Sequence, residues 1–197
     1  MTANLFLSMT AFALATSISP GPVNIVALGS GVRYGFRAGQ RHALGAAIGF
    51  TLLLLLIGLG LCEVLERWPY LTTLIRWGGA GYLLYMARGL AADSGEIDAG
   101  SAEKGPSFLH GALMQWLNPK AWLASVAGMG FYVADGDAGL VWWFSIIYCA
   151  VCYVSIACWV YAGAFLRRFL GEARRIRLFN RFMAALLAAS ALYLLAA

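Results

Sequence analysis

The chain has 197 residues, of which 61% are hydrophobic and 12% are charged, and its mean hydropathy is +0.75. Because roughly a quarter of the residues in a soluble domain are charged, this composition excludes an ordinary soluble domain and predicts a protein of the lipid bilayer. The net charge of +5 does not indicate nucleic-acid binding, because the arginines are spread over several segments and lack interleaved aromatic residues that could stack on bases.

Six apolar segments are long enough to cross a bilayer, which requires about 20 helical residues for roughly 30 Å of hydrocarbon. They predict an all-α integral membrane protein with six transmembrane helices. The predicted spans are residues 5–29, 43–62, 70–90, 109–133, 140–165 and 178–195. A five-span arrangement would result if the proline-broken first segment or the alanine-rich last segment lies in the membrane interface instead.

Basic residues fall mainly on one side of the predicted spans. The segments that follow spans one, three and five contain eleven of them, namely Arg33, Arg37, Arg41, Arg88, Lys104, Arg167, Arg168, Arg174, Arg175, Arg177 and Arg181. The opposite side has Arg67, and Arg76 lies within a span. Because cytoplasmic loops hold an excess of lysine and arginine, we expect a multi-pass protein with both termini outside the cytoplasm.

Two proline motifs interrupt predicted spans one and four, about half a chain apart. The first is Ser-Pro-Gly-Pro-Val-Asn at residues 19–24, and the second is Leu-Asn-Pro-Lys at residues 117–120. Proline breaks a helix, and the backbone groups released inside a bilayer are tolerated only where protein covers them or where they line a polar site. We therefore predict that helices 1 and 4 are broken and that a substrate binds between the breaks.

The paired motifs also indicate an internal repeat. A segment of small and charged residues at about 93–107 divides the chain into halves of about 1–92 and 108–197, each with three predicted spans. Two tandem halves with an odd number of spans must have opposite orientations in the membrane. The prediction is a single transmembrane domain, residues 1–197, made of two inverted three-helix repeats.

Four stretches carry a resemblance to a known family. They are residues 19–24, Gly-Val-Arg-Tyr-Gly-Phe-Arg-Ala-Gly at 31–39, residues 78–85, and Gln-Trp-Leu-Asn-Pro-Lys-Ala-Trp at 115–122. Together they resemble the LysE/RhtB family of amino-acid exporters, and the resemblance covers nearly the whole chain. The motifs are specific in combination, since Pro-Gly-Pro alone is common but this order and spacing are hard to obtain by chance.

Within that family the chain is most similar to the branch that exports neutral amino acids, cysteine or O-acetylserine, with a similar pattern at Ser107, Phe108, Gln115 and Asn118. The resemblance implies a bacterial inner-membrane secondary exporter, and not an enzyme. Its cargo would be a small neutral amino acid or close metabolite, such as cysteine, O-acetylserine, threonine or homoserine, and the proton-motive force would drive it. The sequence contains no G-x-x-x-x-G-K-[ST] phosphate loop, so we expect neither ATP hydrolysis nor a cofactor.

The chemistry of a broken helix suits an amino acid. A zwitterion needs a cation or a helix N-terminus for its carboxylate and acceptors for its ammonium. The N–H groups after Pro22 and the Lys120 amine would bind the carboxylate, and the carbonyls before each break with two asparagine oxygens would bind the ammonium. The predicted substrate-binding residues are Pro20, Gly21, Pro22, Asn24, Asn118, Pro119, Lys120 and, on span three, Tyr82.

Structural alternatives exist for the same residues. Lys120 could be a snorkelling lysine with its amine at a headgroup, but it follows a helix-breaking proline near the middle of its segment. A lysine deep in a span costs roughly 2.5 to 3.5 kcal/mol on insertion scales, which favours a function for it. The proline motifs could be packed kinks, and Asn24 could form a hydrogen bond to another helix.

The group that carries the coupling proton is not evident from the sequence. All nine acidic residues lie in loops or at span ends, and Glu63 and Asp135 are the nearest candidates. His42 and His110 lie near predicted cytoplasmic ends of spans, where an imidazole can relay protons but is more often solvated.

Three other classes of function stay open at this stage. A purely structural or receptor role, or that of an accessory subunit, would leave the paired breaks and Lys120 unexplained. A metal-cation exporter of similar fold would need carboxylate or imidazole ligands within the spans, and we find none there. The C-x-x-C spacing of Cys149 and Cys152 is typical of redox and metal sites, but a transmembrane thiol oxidoreductase would need a cysteine near the breaks, and none is expected there. Exposed faces rich in glycine and alanine permit a homodimer without requiring one.

Overall fold

The computed structural model describes residues 1–95, 107–133, 137–170 and 172–196, with the side chains of Cys62, Glu66 and Leu194 left undescribed. These residues form helices and no strand, so the predicted all-α class is confirmed. The elements are α1 (Ala3–Ile18), α2 (Pro22–Leu56), a π-helical turn (Ile57–Leu61), α3 (Cys62–Arg67), α4 (Pro69–Ala91), α5 (Phe108–Trp116), α6 (Pro119–Tyr132), α7 (Ala138–Leu166) and α8 (Ala173–Ala196). Most of the predicted linker lies outside the described residues.

Three helical stretches are long and apolar enough to cross a membrane: Pro22–Leu61, Ala138–Leu166 and Ala173–Tyr193. They correspond to predicted spans two, five and six. The third predicted span coincides with α4, which has 23 residues but is not one of these three. The protein is therefore a multi-pass membrane protein, while six crossings remain a prediction.

Both proline motifs break their helices as predicted. The first predicted span divides into α1, which ends at Ile18, and α2, which begins at Pro22. The fourth divides into α5, which ends at Trp116, and α6, which begins at Pro119. In both cases a proline is the first residue of the second helix, a position where its missing N–H would have had no helical partner.

The helix α2 reverses its direction at Gly35, where φ is 80° and ψ is 175°. This backbone conformation lies in a region that favours glycine. A straight helix across the 40 residues of Pro22–Leu61 would be about 60 Å long, twice the hydrocarbon thickness. The reversal instead gives two arms, residues 22–34 and residues 36–56, that lie side by side.

Contacts with α7 show the opposite directions of the two arms. Along residues 22–34, Asn24 lies in a cavity with Cys152, and Gly31 lies against Val160 and Gly163 further along α7. Along residues 36–56 the order is inverted. Gln40 accepts a hydrogen bond from Tyr153, Phe50 stacks on Tyr148, and Gly58 in the π-helical turn lies against Val141. The first arm is therefore parallel to α7 and the second antiparallel to it.

The remaining helices pack around this hairpin. The helix α1 packs on α7, with Phe12 against the rings of Phe144 and Tyr148. The helix α5 packs on residues 36–56 so closely that a Cβ atom at Gly49 would lie 2.6 Å from the Cα atom of Ala112. The helices α4 and α8 pack against each other. The two breaks consequently meet in the interior of the bundle.

Candidate functional site

A small cavity lies between the two breaks. Four predicted site residues line it, namely Gly21, Asn24, Asn118 and Lys120. Its volume is about 30 Å³, which is room for roughly two water molecules. The structure therefore brings residues of the two sequence motifs together at one place, in a closed form that does not hold an amino acid.

Side chains from the first motif itself and from α7 bind the carbonyl groups released at the first break. Asn24 is buried and donates from Nδ2 to the carbonyl oxygens of Ser17 at 2.9 Å and Ser19 at 2.8 Å. Trp159 on α7 donates from Nε1 to the carbonyl of Ile18 at 3.0 Å. These bonds compensate for the missing helical partners of the carbonyls.

Lys120 connects the second break to the first. Its Nζ donates to the carbonyl oxygen of Ser19 at 2.5 Å, to Ser19 Oγ at 2.9 Å and to the carbonyl of Pro20 at 3.4 Å. The lysine therefore points into the protein rather than snorkelling to a headgroup. Its ammonium occupies the carbonyl acceptors that the sequence analysis assigned to a substrate ammonium.

The N-terminus of α2 has no side-chain cap. Val23 and Asn24 in its first turn line the cavity, and the helix dipole at such an end favours an anionic group. At the N-cap residue, Gly21, a Cβ atom would lie 3.1 Å from Cδ of Lys120 and 3.5 Å from its Nζ. The uncapped helix end and the lysine cation are thus neighbours, as the predicted carboxylate site requires.

The second break is satisfied mainly by its own residues. Asn118 caps α6, with its Oδ1 accepting from the backbone N–H of Lys120 at 3.2 Å, and its Nδ2 donates to Gln115 Oε1 at 3.3 Å. Trp122 donates from Nε1 to the carbonyl of Trp116 at 2.7 Å. The Asn118 oxygen, predicted to bind a substrate ammonium, is already used as a helix cap.

The other predicted residues do not line the cavity. Pro20 is exposed, and Pro22 is buried as the first residue of α2. Pro119 faces a different groove, which it shares with Arg76. Tyr82 on α4 contacts the ring of His110, with ring centroids 5.8 Å apart. The three prolines belong to the breaks without lining the cavity between them, and Tyr82 lies beside His110 instead.

Several cavity residues were not predicted to bind substrate. Thr16 Oγ1 and the hydroxyl of Tyr148 are hydrogen-bonded at 2.6 Å, and Gln115 Nε2 lies 3.9 Å from Cys152 Sγ. The expectation that no cysteine lies near the breaks is wrong, because Cys152 lines this cavity. The polar residues Thr16 and Ser17, just before the first proline, could have been predicted from the sequence to line the cavity. Tyr148 could not, because it lies in a largely apolar segment.

The two histidines form a pair. His42 is 0% exposed, and its ring centroid lies 5.7 Å from that of His110 on α5. The expectation that these imidazoles are solvated is therefore wrong for His42. Of the two acidic candidates, Glu63 is exposed on α3, and Asp135 lies outside the described residues.

Across the described ranges, no group of three or more His, Cys, Asp or Glu side chains could hold a metal ion. Cys149, Cys152 and Cys158 are free thiols.

An all-helical bundle with two proline-broken helices, joined at its centre by a lysine, defines a membrane transport protein. The profile of the LysE type translocator family matches residues 14–197, and the chain belongs to this family. It is 28% identical to the cysteine/O-acetylserine efflux protein of Escherichia coli (strain K12) over 177 residues, which cover 89% of this chain and 90% of the relative. The relative of the same name from Shigella sonnei (strain Ss046) gives the same figures. No solved structure matches the chain.

Proposed function

We propose that the protein is a secondary exporter of small neutral amino acids or close metabolites, such as cysteine, O-acetylserine, threonine or homoserine, in the bacterial inner membrane. One observation carries this proposal: the Lys120 ammonium bonds to the carbonyls of Ser19 and Pro20 beside an uncapped helix N-terminus, next to a cavity that Lys120 and Gly21 line. These are the groups that an α-carboxylate and an α-ammonium require. The efflux relatives at 28% identity support the same substrate class.

Substrate binding then proceeds by exchange of partners. In the closed form, the Lys120 ammonium occupies the carbonyls of Ser19 and Pro20. An incoming amino acid brings its own ammonium to these carbonyls, and Lys120 turns to its carboxylate beside the first turn of α2. Because the cavity has a volume of only about 30 Å³, this exchange requires the breaks to separate, as alternating access does.

Two inverted three-helix repeats, crossing the membrane six times, are part of this proposal. The packing supports it, because α1 of the first half packs on α7 of the second, and α5 of the second half packs on residues 36–56 of the first. The halves therefore exchange equivalent contacts. Rocking one half against the other would open the cavity to alternate sides.

The proposed orientation has both termini outside the cytoplasm. Its support is that arginines from all three predicted cytoplasmic segments lie at one end of the bundle. Arg167 lies 3.6 Å from the Cβ position of Gly35, Arg33 and Arg88 line one cavity, and Arg177 lies against Gly95. An excess of cations at one end is typical of a cytoplasmic face.

Protons are the proposed coupling ion, and the buried pair of His42 and His110 is the proposed carrier. An imidazole is the side chain whose ordinary titration lies in the physiological range, and intramembrane ionisable groups mark proton paths. His42→Gln, which keeps a polar side chain without titration, should remove the dependence of export on a pH gradient. Unchanged gradient dependence in this variant would refute the role of His42.

The function is tested by efflux of labelled amino acids from cells preloaded with dipeptides. Wild type, Lys120→Ala and the control Leu123→Ala, which changes an exposed residue of the same helix, are compared with and without a protonophore. We expect protonophore-sensitive efflux in wild type and in the control, and its loss in Lys120→Ala at equal membrane abundance. Absence of efflux in wild type would contradict the proposal, and metal-tolerance and thiol-redox assays would then test the cation-exporter and oxidoreductase alternatives.

A further inference from the structure

A second and much larger cavity lies beside the first arm of α2. Its volume is about 510 Å³, and it is bounded by residues of the first arm, α4, α5 and α8. We call this space the vestibule. The polar and charged residues that line it include Ser30, Arg33, Tyr85, Asp93, His110 and Asn180.

The vestibule and the central cavity follow one another along the same two elements. On the first arm of α2, Val23 and Asn24 line the central cavity, and Val26 lines the vestibule one turn later. On α5 the corresponding residues are Gln115 in the central cavity and His110 in the vestibule. A solute in the vestibule is therefore about one helical turn away from the space between the breaks.

Two opposite charges meet at the wall of the vestibule. Arg33 and Asp93 form an ion pair in which the Asp93 side chain is only 5% exposed and that of Arg33 is 40% exposed. The Nε–H of Arg33 is buried and has no hydrogen-bond partner within the part of the chain that the structure describes. Burial of the Asp93 carboxylate carries a desolvation cost that one partner need not offset, and the Nε–H of Arg33 still lacks an acceptor among the described residues. Both groups would therefore gain from a ligand that brings further charge of the opposite sign to each.

We propose that the vestibule is a first binding site for the amino acid, which Arg33 holds by its carboxylate and Asp93 by its ammonium. This inference rests on the proposed export function and adds the place where the cytoplasmic substrate is recognised. A guanidinium presents paired donors that match a carboxylate, and the buried carboxylate of Asp93 accepts from an ammonium. The zwitterion would insert between the two side chains and later move along the first arm to the central cavity.

A zwitterion fits the vestibule better than a lipid headgroup does. Arg33 and Arg88 would attract an anionic phosphate, but Asp93 at the same wall would repel it. An amino acid satisfies both signs of charge at once. A dependence of activity on anionic lipid that disappears in Arg33→Gln, without any change in amino-acid affinity, would overturn the proposal in favour of a lipid.

The first test measures uptake of radiolabelled L-cysteine, kept reduced, into inside-out membrane vesicles. Arg33→Gln and Asp93→Asn should each raise KM about 10-fold, the effect of losing one charge-assisted hydrogen bond, with the maximal rate within about twofold of wild type. Unchanged KM in both variants would overturn the vestibule site while leaving export intact. Absence of uptake in wild type would instead refute the proposed function itself.

Competition between cysteine and two analogues distinguishes an ion pair that binds substrate from one that only stabilises the structure. Cysteamine lacks the carboxylate of cysteine, and 3-mercaptopropionate lacks its ammonium. The advantage of cysteine over cysteamine should shrink in Arg33→Gln only, and its advantage over 3-mercaptopropionate should shrink in Asp93→Asn only. Because both variants break the same ion pair, a structural role predicts the same behaviour in both, and that result would overturn the proposal.

A variant that fills the vestibule but leaves the ion pair intact tests whether the substrate must pass through this cavity. Gly29 lines the vestibule, and a Cβ atom there would have nothing within 4 Å, so Gly29→Leu can fill the cavity without a backbone clash. The matched control is Gly130→Leu on α6, which also has nothing within 4 Å of its Cβ position and lies outside the vestibule. We expect uptake to fall at least about 10-fold in Gly29→Leu and to stay near wild type in the control. Equal uptake in both variants would overturn the proposal.

Discussion

The two proline breaks look alike in sequence but are stabilised in different ways. At the second break, Asn118 and Trp122 satisfy neighbouring backbone groups within seven residues of the chain. At the first break, Asn24 also bonds locally, to the carbonyls of Ser17 and Ser19. The carbonyls of residues 18–20 additionally depend on donors from α6 and α7 that are at least 100 positions away in the chain. A locally satisfied break is a fixed part of the structure, whereas the hydrogen bonds of the first break change whenever the surrounding helices move.

In the proposed function, this difference gives the two breaks different roles in substrate binding. The second break supplies a rigid helix N-terminus and holds Lys120 in place. The first break supplies an uncapped helix and carbonyls that bind Lys120, and in the proposed function a substrate ammonium replaces Lys120 there. Substitutions at the two breaks should therefore have unequal effects, and four of them test the comparison.

Lys120→Met should have the largest effect, because it removes the ammonium that bonds to the first break while keeping most of the length of the side chain. We expect export to fall about 100-fold or more, the range for loss of one partner of a buried charged pair. Membrane abundance should stay close to wild type, because Asn24 still bonds to Ser19. Efflux of labelled substrate measures export, and quantification of the protein in the membrane fraction measures abundance. Export above one tenth of the wild-type rate would contradict the proposed role of Lys120 in substrate binding.

Asn24→Ala should have the next largest effect, and mainly on stability. It removes two hydrogen bonds to carbonyls of the first break, each worth about 1 kcal/mol, and takes away the side-chain donor to the Ser17 carbonyl, while the Ser19 carbonyl keeps Lys120. We expect a loss of about 2 to 3 kcal/mol in the free energy of unfolding, measured in detergent. A variant as stable as wild type would show that the first break does not depend on this side chain.

Asn118→Ala should have a smaller effect. It removes the cap of α6, which is worth about 1 kcal/mol, while the proline at the first helical position still favours the helix start. The expected results are a slightly lower unfolding temperature and a few-fold reduction in export, since Lys120 is less well oriented. Loss of export equal to that of Lys120→Met would mean that Asn118 binds substrate directly.

Trp122→Phe should have the smallest effect of the four. It keeps most of the ring packing and removes one hydrogen bond, to the carbonyl of Trp116, so about 1 kcal/mol of stability is at stake. Export within twofold of wild type is expected in the same efflux assay. A strong loss of export would show that the second break is not the rigid partner in the comparison.

The sequence alone was sufficient to predict where the two helices break, because proline acts locally on its own helix. It was also sufficient for four cavity residues that lie within three positions of a proline: Gly21, Asn24, Asn118 and Lys120. It could not reveal that Lys120 bonds to Ser19, since the two are 101 positions apart. Tyr148 and Cys152 were missed because α7 is apolar on all sides, so the face that meets the breaks follows only from packing.

The vestibule and the histidine pair show the same limit of prediction from sequence. Arg33 and Asp93 read as loop charges in the sequence, and their pairing depends on the reversal of α2. His42 was expected at a solvated helix end, whereas the second arm carries it into the core. In both cases the decisive event is the turn at Gly35, which the periodicity of apolar residues does not encode.

The single-residue turn at Gly35 also has a mechanical consequence. One residue contributes only two soft torsions, so the first arm of α2 can rotate about this joint but cannot slide independently of the second arm. The first arm is about 20 Å long at 1.5 Å per residue, and a rotation of about 10° at the joint displaces its far end by about 3 Å, the length of one hydrogen bond. That far end is the uncapped turn beside Lys120. A small torsional change at one glycine is thus enough to make or release the contacts that close the centre of the bundle.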